Sequence, residues 1–367
     1  MGRLTLAPSQ KIPLIQPFLK TEGEESISPR IIFFGTPEFA AIILEKMIEN
    51  DLIPVAAVTA PDKPVGRKQI LTPSPVKVLA EKYKIPILQP EKIRNLKLEI
   101  RNLKPDLIIL AAYGQIIPKE ILEIPKYDSL NIHPSLLPKY RGPSPIQTAI
   151  LNGDEKTGLT IILMDEKMDH GPILAQRELE IINSKSKILN KSQILMTKIT
   201  YLELNIILAK LGADLLIETL PKYLVGKITP IPQDQTKATF TKIIKKEDGH
   251  INWNKSAEEI ERMTRAFWPW PSAYTYFKFQ ILNFKFQINS KFQIPKQKIL
   301  KIIKADVFKI EHQKKPGTVF LTKDKKLVIA CGKSALILEE AQLEGKRKMT
   351  AQEFLNGHPE IVGSILI

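Results

Sequence analysis

A chain of 367 residues, 43% hydrophobic and 25% charged, is long enough for two packed domains and too apolar to be a disordered tail. Its one cysteine, Cys331, excludes an intramolecular disulfide and a cysteine-based zinc site, and reads as a small buried apolar side chain in a reducing compartment rather than a nucleophile. Of the net charge of +15, most lies in residues 236–367, where 24 Lys or Arg stand against 13 Asp or Glu; a polyanionic partner explains that excess most simply, and a lysine-rich solvated surface is the plainer alternative.

Residues 1–29 carry several prolines and the acidic cluster Glu22, Glu24 and Glu25, and lack the roughly 7–15 residue apolar core of a secretion signal. They are expected to be a flexible extension. No stretch of the chain reaches the roughly 18 consecutive apolar residues of a membrane helix, so a cytoplasmic protein without membrane association is expected. From about residue 30 to 235, short apolar runs at Ile31–Phe34, Val55–Val58, Leu107–Ala111, Ser129–Ile132 and Leu159–Leu163 alternate with helix-like segments such as Ala40–Asn50 and Tyr201–Leu220. That alternation predicts βαβ units, hence an α/β, Rossmann-like, mostly parallel sheet with ligands beyond the carboxyl ends of its strands. Gly35-Thr36-Pro37 follows the first strand without a G-x-G-x-x-G, which excludes the usual dinucleotide site.

Asn131 and His133 stand two apart at the end of a predicted strand, so their side chains project from one face. An amide donor and an imidazole at one spot suit an oxygen that gains negative charge during attack on a carbonyl. Asp169, in Met168-Asp-His-Gly-Pro172, would orient the imidazole and favour its charged form, the logic of general acid–base catalysis without a metal. Taken singly, an Asn-x-His in a strand is usually structural, and an Asp beside a Gly usually begins a turn. His170 and Asp165 read as surface residues.

After about residue 235 the pattern changes to short strands, Val319–Leu321, Leu327–Ala330 and Ala335–Leu338, around one clear helix from Ser256 to Phe267. Ser256 and Glu259 have capping-box spacing, and Pro269 ends the helix. Trp268, Trp270 and Tyr274 could stack on bases, though aromatics beside prolines are more often local core. Lys278-Phe-Gln-Ile281, Lys285-Phe-Gln-Ile288 and Lys291-Phe-Gln-Ile294 form a threefold repeat that suits an exposed hairpin with a basic face, with low-complexity drift as the plainer account. Residues 183–199 are a second low-complexity segment.

The run Asn131-Ile-His-Pro-Ser-Leu-Leu-Pro-Lys-Tyr-Arg-Gly142 resembles the folate-binding signature of formyltransferases. The resemblance extends over most of the chain from about residue 30. Ile31-Ile-Phe-Phe-Gly-Thr-Pro-Glu-Phe-Ala40, Pro61-Asp-Lys-Pro-Val-Gly-Arg-Lys68, Pro73 to Ala80, Pro105 to Gly114 and Arg265-Ala-Phe-Trp-Pro-Trp-Pro271 are all similar to the methionyl-tRNA formyltransferases. The resemblance implies a formyltransferase fold over residues 30–235 and a smaller OB-like β-barrel over 236–367 that binds tRNA. It implies a monomer that moves a formyl group from 10-formyltetrahydrofolate to methionyl initiator tRNA, releasing tetrahydrofolate, with Asn131, His133 and Asp169 catalytic. Ser135, Leu136, Leu137 and Pro138, through their backbone, together with Tyr113 and Gly114, would hold the folate; Lys63, Arg67 and Lys68, on a mobile loop, would meet the tRNA acceptor end. Formyltransferases of sugar nucleotides or of phosphoribosylglycinamide share the core motif. A catalytically idle RNA-binding protein is the rival of another class.

Overall fold

The computed structural model describes residues 29–66, 68–181, 198–278 and 297–367. Arg67, the N-terminal extension up to residue 28, most of the 183–199 segment, and the Lys-Phe-Gln-Ile repeat from residue 279 to 294 lie outside the described residues.

Nine strands come first: β1 (Ile31–Gly35), β2 (Ala56–Val58), β3 (Lys63–Val65), β4 (Ile70–Thr72), β5 (Ile87–Leu88), β6 (Leu107–Ala111), β7 (Ser129–His133), β8 (Lys156–Leu163) and β9 (Ile173–Glu180). Seven of them form one sheet in the order β5-β2-β1-β6-β7-β8-β9. It is parallel from β5 to β7, and β8 and β9 then run antiparallel. The sheet is therefore mostly parallel, as expected, but the run at Leu159–Leu163 belongs to an antiparallel edge rather than a further βαβ unit. An apolar run marks a strand without stating its direction.

β1 and β6 are apolar at every position because both faces of the sheet are covered. Ile31 and Phe33 join Phe39, Ile43 and Leu44 of helix Glu38–Glu49 and Leu204 and Leu208 of helix Tyr201–Leu224 in one core. Ile32 and Phe34 face a second, smaller core with Ile93, Ile100, Tyr113 and Ile121. Each such side chain contributes roughly 1.5–3 kcal/mol on leaving water.

The second sheet is formed by β10 (Ala273–Lys278), β11 (Gln297–Phe308), β12 (Val319–Leu321), β13 (Leu327–Ala330), β14 (Ala335–Leu343) and β15 (Met349–Thr350). All its pairings are antiparallel, in the order β10-β11-β14-β13-β12 with β15 on β14, as befits the OB-like second part. Helix Ala257–Phe267 starts on the expected capping box, with Ser256 accepting from the Glu259 amide and Glu259 accepting in return. Its buried side chains belong to the larger core, which runs unbroken from the first sheet to the second. On the same helix Glu261, 4% exposed, holds Arg265 through both carboxylate oxygens, and Arg262 donates to the carbonyl of Leu151.

Cys331 is buried in this core, and burial pushes its thiol up to about 12. Tyr274 is buried, but Trp270 is 59% exposed. Among the described residues no helix is long and apolar enough to cross a membrane.

Candidate active site

The strand pleat sorts β7 into two faces. Leu130 and Ile132 point into the larger core, while Asn131 and His133 point the other way and are 7% and 5% exposed. Asp169 reaches the same spot from the turn between β8 and β9, with φ at +49° in the left-handed region that Asp tolerates better than most residues.

The Asp169 carboxylate is the hub. Oδ1 accepts from Asn131 Nδ2 at 3.0 Å, and Oδ2 accepts from the Gly142 amide at 2.7 Å. His133 Nδ1 lies 3.6 Å from Oδ1, beyond hydrogen-bond reach, and the other ring nitrogen, Nε2, donates to the Tyr140 carbonyl at 2.9 Å. The expected Asp–His contact is thus close but not a direct hydrogen bond, because the backbone at 140–142 turns back over the strand and supplies both the imidazole's acceptor and one of the carboxylate's donors. That turn is tight: Tyr140 has φ +65° and Gly142 +110°, and a Cβ on Gly142 would lie 2.9 Å from Thr241 O.

Ser135 to Pro138 run beside this hub, linked by a cis Leu137–Pro138 bond. Thr160 on β8 accepts from the Leu137 amide at 3.1 Å and donates to the Ser135 carbonyl at 2.6 Å. Gln176 on β9 donates to Thr160 Oγ1 and to the Leu137 carbonyl. The Leu136 carbonyl accepts from Lys139 N and the Pro138 carbonyl from Thr239 N. Most of the backbone groups expected to meet a ligand edge are already partnered within the protein; the Leu136 amide, which donates to no group among the described residues, and the carbonyls' second lone pairs remain open to a ligand.

Ala112, Tyr113 and Gly114 turn at the end of β6, beside β7; Ala112 and Gly114 have φ of +48° and +89°. The Tyr113 ring is buried edge-on against Phe34 at 5.3 Å, its hydroxyl has no hydrogen-bond partner among the described residues, and burial pushes the phenol up to about 12. Its carbonyl accepts from Thr36 Oγ1 at 3.1 Å. His170 pairs with Asp165 at 2.6 Å on the rim.

Lys63 and Lys68 are exposed. Instead of an unstructured loop, the segment forms an antiparallel hairpin of β3 and β4, and Val65, Ile70 and Leu71 on it are 56–64% exposed. Asp62 at its base bonds to Lys77 Nζ at 2.7 Å, which holds the carboxyl below its usual range. Among the described residues, no group of three or more His, Cys, Asp or Glu is placed to hold a metal ion.

Sequence reasoning missed Thr160, Gln176 and Gln233, whose contacts reach partners 23, 39 and 92 residues away. No spacing signals such contacts. Gly171 gave a partial signal as the glycine after Asp169-His170: a Cβ there would sit 1.8 Å from the Leu163 carbonyl. Gly171→Ala should therefore force the β8–β9 turn open and cost about 1–3 kcal/mol, measured by urea unfolding.

A mostly parallel sheet with a polar hub at its carboxyl edge, followed by an antiparallel sheet, is the arrangement of the formyl transferases. Residues 29–204 match the formyl transferase family model, and residues 243–359 match that of the formyl transferase C-terminal domain. The methionyl-tRNA formyltransferase of Clostridium novyi is 38% identical over 92% of this chain and 99% of its own length, and that of Caldanaerobacter subterraneus is 41% identical over the same shares. The chain belongs to the methionyl-tRNA formyltransferase family. Two solved structures share the fold. HypX of Aquifex aeolicus in complex with tetrahydrofolic acid matches with a TM-score of 0.57 at 18% identity, over 92% of this chain and 48% of that one. An N-formyltransferase of Helicobacter canadensis in complex with folinic acid and dTDP-3-aminofucose matches with a TM-score of 0.54 at 20% identity, over 84% and 99%.

Proposed function

We infer that this protein transfers the formyl group of 10-formyltetrahydrofolate to the α-amino group of methionyl initiator tRNA, working as a cytoplasmic monomer with no metal. The observation that carries the reading is the meeting of Asn131, His133 and Asp169 at the end of β7, in a chain about 40% identical to named methionyl-tRNA formyltransferases over 92% of its length. Residues 30–235 would carry the transfer and 236–367, where the positive charge concentrates, the tRNA contact.

In the reaction the amine nitrogen attacks the formyl carbon, a C–N bond forms, and the carbonyl oxygen becomes an oxyanion. Asn131 has two amide hydrogens: one is held by Asp169 and the second is free to donate to that oxygen. His133, whose Nε2 donates to the Tyr140 carbonyl, would donate to the same oxygen from Nδ1 as an imidazolium, the form in which both ring nitrogens carry a hydrogen. Asp169 has lone pairs beyond the two donors it holds and accepts the proton the attacking amine must lose, passing it through water to the folate nitrogen as the old C–N bond breaks.

The donor would lie along Ser135, Leu136, Leu137 and Pro138 and the Tyr113-Gly114 turn. Lys63 and Lys68 of the hairpin, with Arg67, the residue before Lys68 in sequence, would approach the acceptor end. Thr160→Val leaves the Leu137 amide without its acceptor, so the donor's KM should rise about tenfold and stability fall by roughly 1–3 kcal/mol.

The reading is tested by offering a labelled formyl donor to methionyl initiator tRNA and to a dTDP-linked amino sugar together. Label on the tRNA alone supports it; label on the sugar nucleotide alone would move this chain to the small-amine formyltransferases. Label on neither, with nucleic acid still bound, would leave an idle RNA-binding protein.

A further inference from the structure

The hub of Asn131, His133 and Asp169 is bordered by a segment outside the strands of both sheets. Residues 231–241, between helix Tyr201–Leu224 and the second sheet, run along the rim of the hub. Ile231 exchanges two backbone hydrogen bonds with Ile173, both 2.8 Å, and Arg141 and Thr239–Thr241 exchange two more at 2.9 and 2.8 Å.

Gln233, 6% exposed, stands between these ties. Its Nε2 spends both hydrogens on the turn that bears Asp169, donating to the Asp169 carbonyl at 2.9 Å and the Gly171 carbonyl at 2.7 Å. Its Oε1 accepts from Arg141, at 2.7 Å from Nη2 and 3.1 Å from Nε. Arg141 is 3% exposed and gives its remaining guanidinium nitrogen to Gln235 Oε1 at 2.9 Å. Among the described residues no carboxylate comes within ion-pair distance of Arg141, so two amide oxygens and the Phe240 ring, its centroid 6.0 Å from the guanidinium carbon, hold a buried charge. A buried polar group is retained at such a cost only where its partners are fixed.

The two ends of this clamp are the two pieces of backbone that aim the Asp169 side chain. Gly142, next to Arg141, donates to Asp169 Oδ2, and the Asp169 backbone sits at φ +49°, a conformation costing of order 1–3 kcal/mol that persists only where its surroundings over-determine it.

We propose that Gln233 is a positioning residue for Asp169, holding the Asp169 turn against the Arg141–Gly142 backbone so that the segment joining the two sheets sets the geometry of the transfer site. The proposal rests on the reading of Asp169 as a catalytic group. Gln233 touches no reacting atom; it acts by fixing where the Asp169 carboxylate points, and a misplacement of about 1 Å at such a group costs on the order of 10²-fold in rate.

The test is a kinetic cycle on the full-length protein, with kcat and both KM values measured by single-turnover and steady-state formyl transfer. Gln233→Glu keeps an acceptor for Arg141 but has no hydrogen for the Asp169 and Gly171 carbonyls, and Gln233→Met keeps the volume with neither group. Each should lower kcat roughly 10²-fold with both KM values within about threefold of the parent. On an Asp169→Asn background either change should add less than about threefold, because the group it positions is already disabled. A Gln233→Glu protein with parental kcat, a loss that falls on KM, or a full multiplication of the two effects would overturn the positioning role. Failure of the underlying reading shows separately, as near-parental turnover in Asp169→Asn alone. Should Gln233→Met unfold, the melting curve reports it, and Gln233→Glu, which can pair with the Arg141 charge, still decides.

Discussion

Asp169→Asn should lower kcat by roughly 10³–10⁴-fold while the protein remains folded. The carboxylate accepts from two donors on opposite sides, Asn131 Nδ2 and Gly142 N, and faces the His133 ring at 3.6 Å. An asparagine has one oxygen, so whichever donor it satisfies, its NH2 group confronts the other. The substitution also removes the negative charge that faces the imidazole and the base that receives the amine's proton. Folding survives because the turn is tied through the carbonyls of Asp169 and Gly171 to Gln233, contacts that do not use the Asp169 side chain. The check is single-turnover transfer beside a thermal melt; a folded variant within tenfold of the parental rate would remove Asp169 from the chemistry.

Asn131→Ala should cost about 10²–10³-fold in kcat, equivalent to roughly 2.7–4 kcal/mol of transition-state stabilisation, with little change in the donor's KM. Asn131 is 7% exposed, one amide hydrogen is fixed by Asp169, and the second has no partner among the described residues, leaving it for an oxygen that develops charge beside it. An interaction made only in the transition state appears in kcat and not in KM. If instead KM rises at constant kcat, Asn131 binds substrate in the ground state and the oxyanion must be held elsewhere.

The parts of this molecule legible in its sequence are those in which one physical requirement dominates several neighbouring residues. β1 and β6 are unbroken apolar runs because both faces are covered, and helix Ala257–Phe267 announces itself through Ser256 and Glu259. The same capping-box spacing at Thr350 and Glu353 starts helix Ala351–Gly357, which the reading of the sequence passed over because its buried face holds little more than Phe354. β3 and β4 are three residues each, too short for a period, and Pro64 and Gly66 read as loop.

The site itself divides in the same way. Asn131 and His133 are neighbours in sequence and share a strand face by the pleat alone. Asp169 came with them through the family motif rather than through any spacing. The imidazole's acceptor on Tyr140 and the carboxylate's donor on Gly142 depend on how residues 138–142 fold back over β7, a tertiary fact. Arg141 was visible as part of a motif, but its partners Gln233 and Gln235 lie more than 90 residues on, and two glutamines in a polar linker carry no pattern.

The central claim is that the formyl group is transferred at the hub of Asn131, His133 and Asp169. The most direct measurement is a crystal structure of this protein soaked with 5-formyltetrahydrofolate, the stable isomer of the donor. The account predicts the pterin between Ser135–Pro138 and the Tyr113-Gly114 turn, with the formyl group within roughly 3.5 Å of the free Asn131 amide hydrogen's nitrogen or of His133 Nδ1. A folate bound elsewhere, or bound there with its formyl group turned away from Asn131, His133 and Asp169, would contradict it.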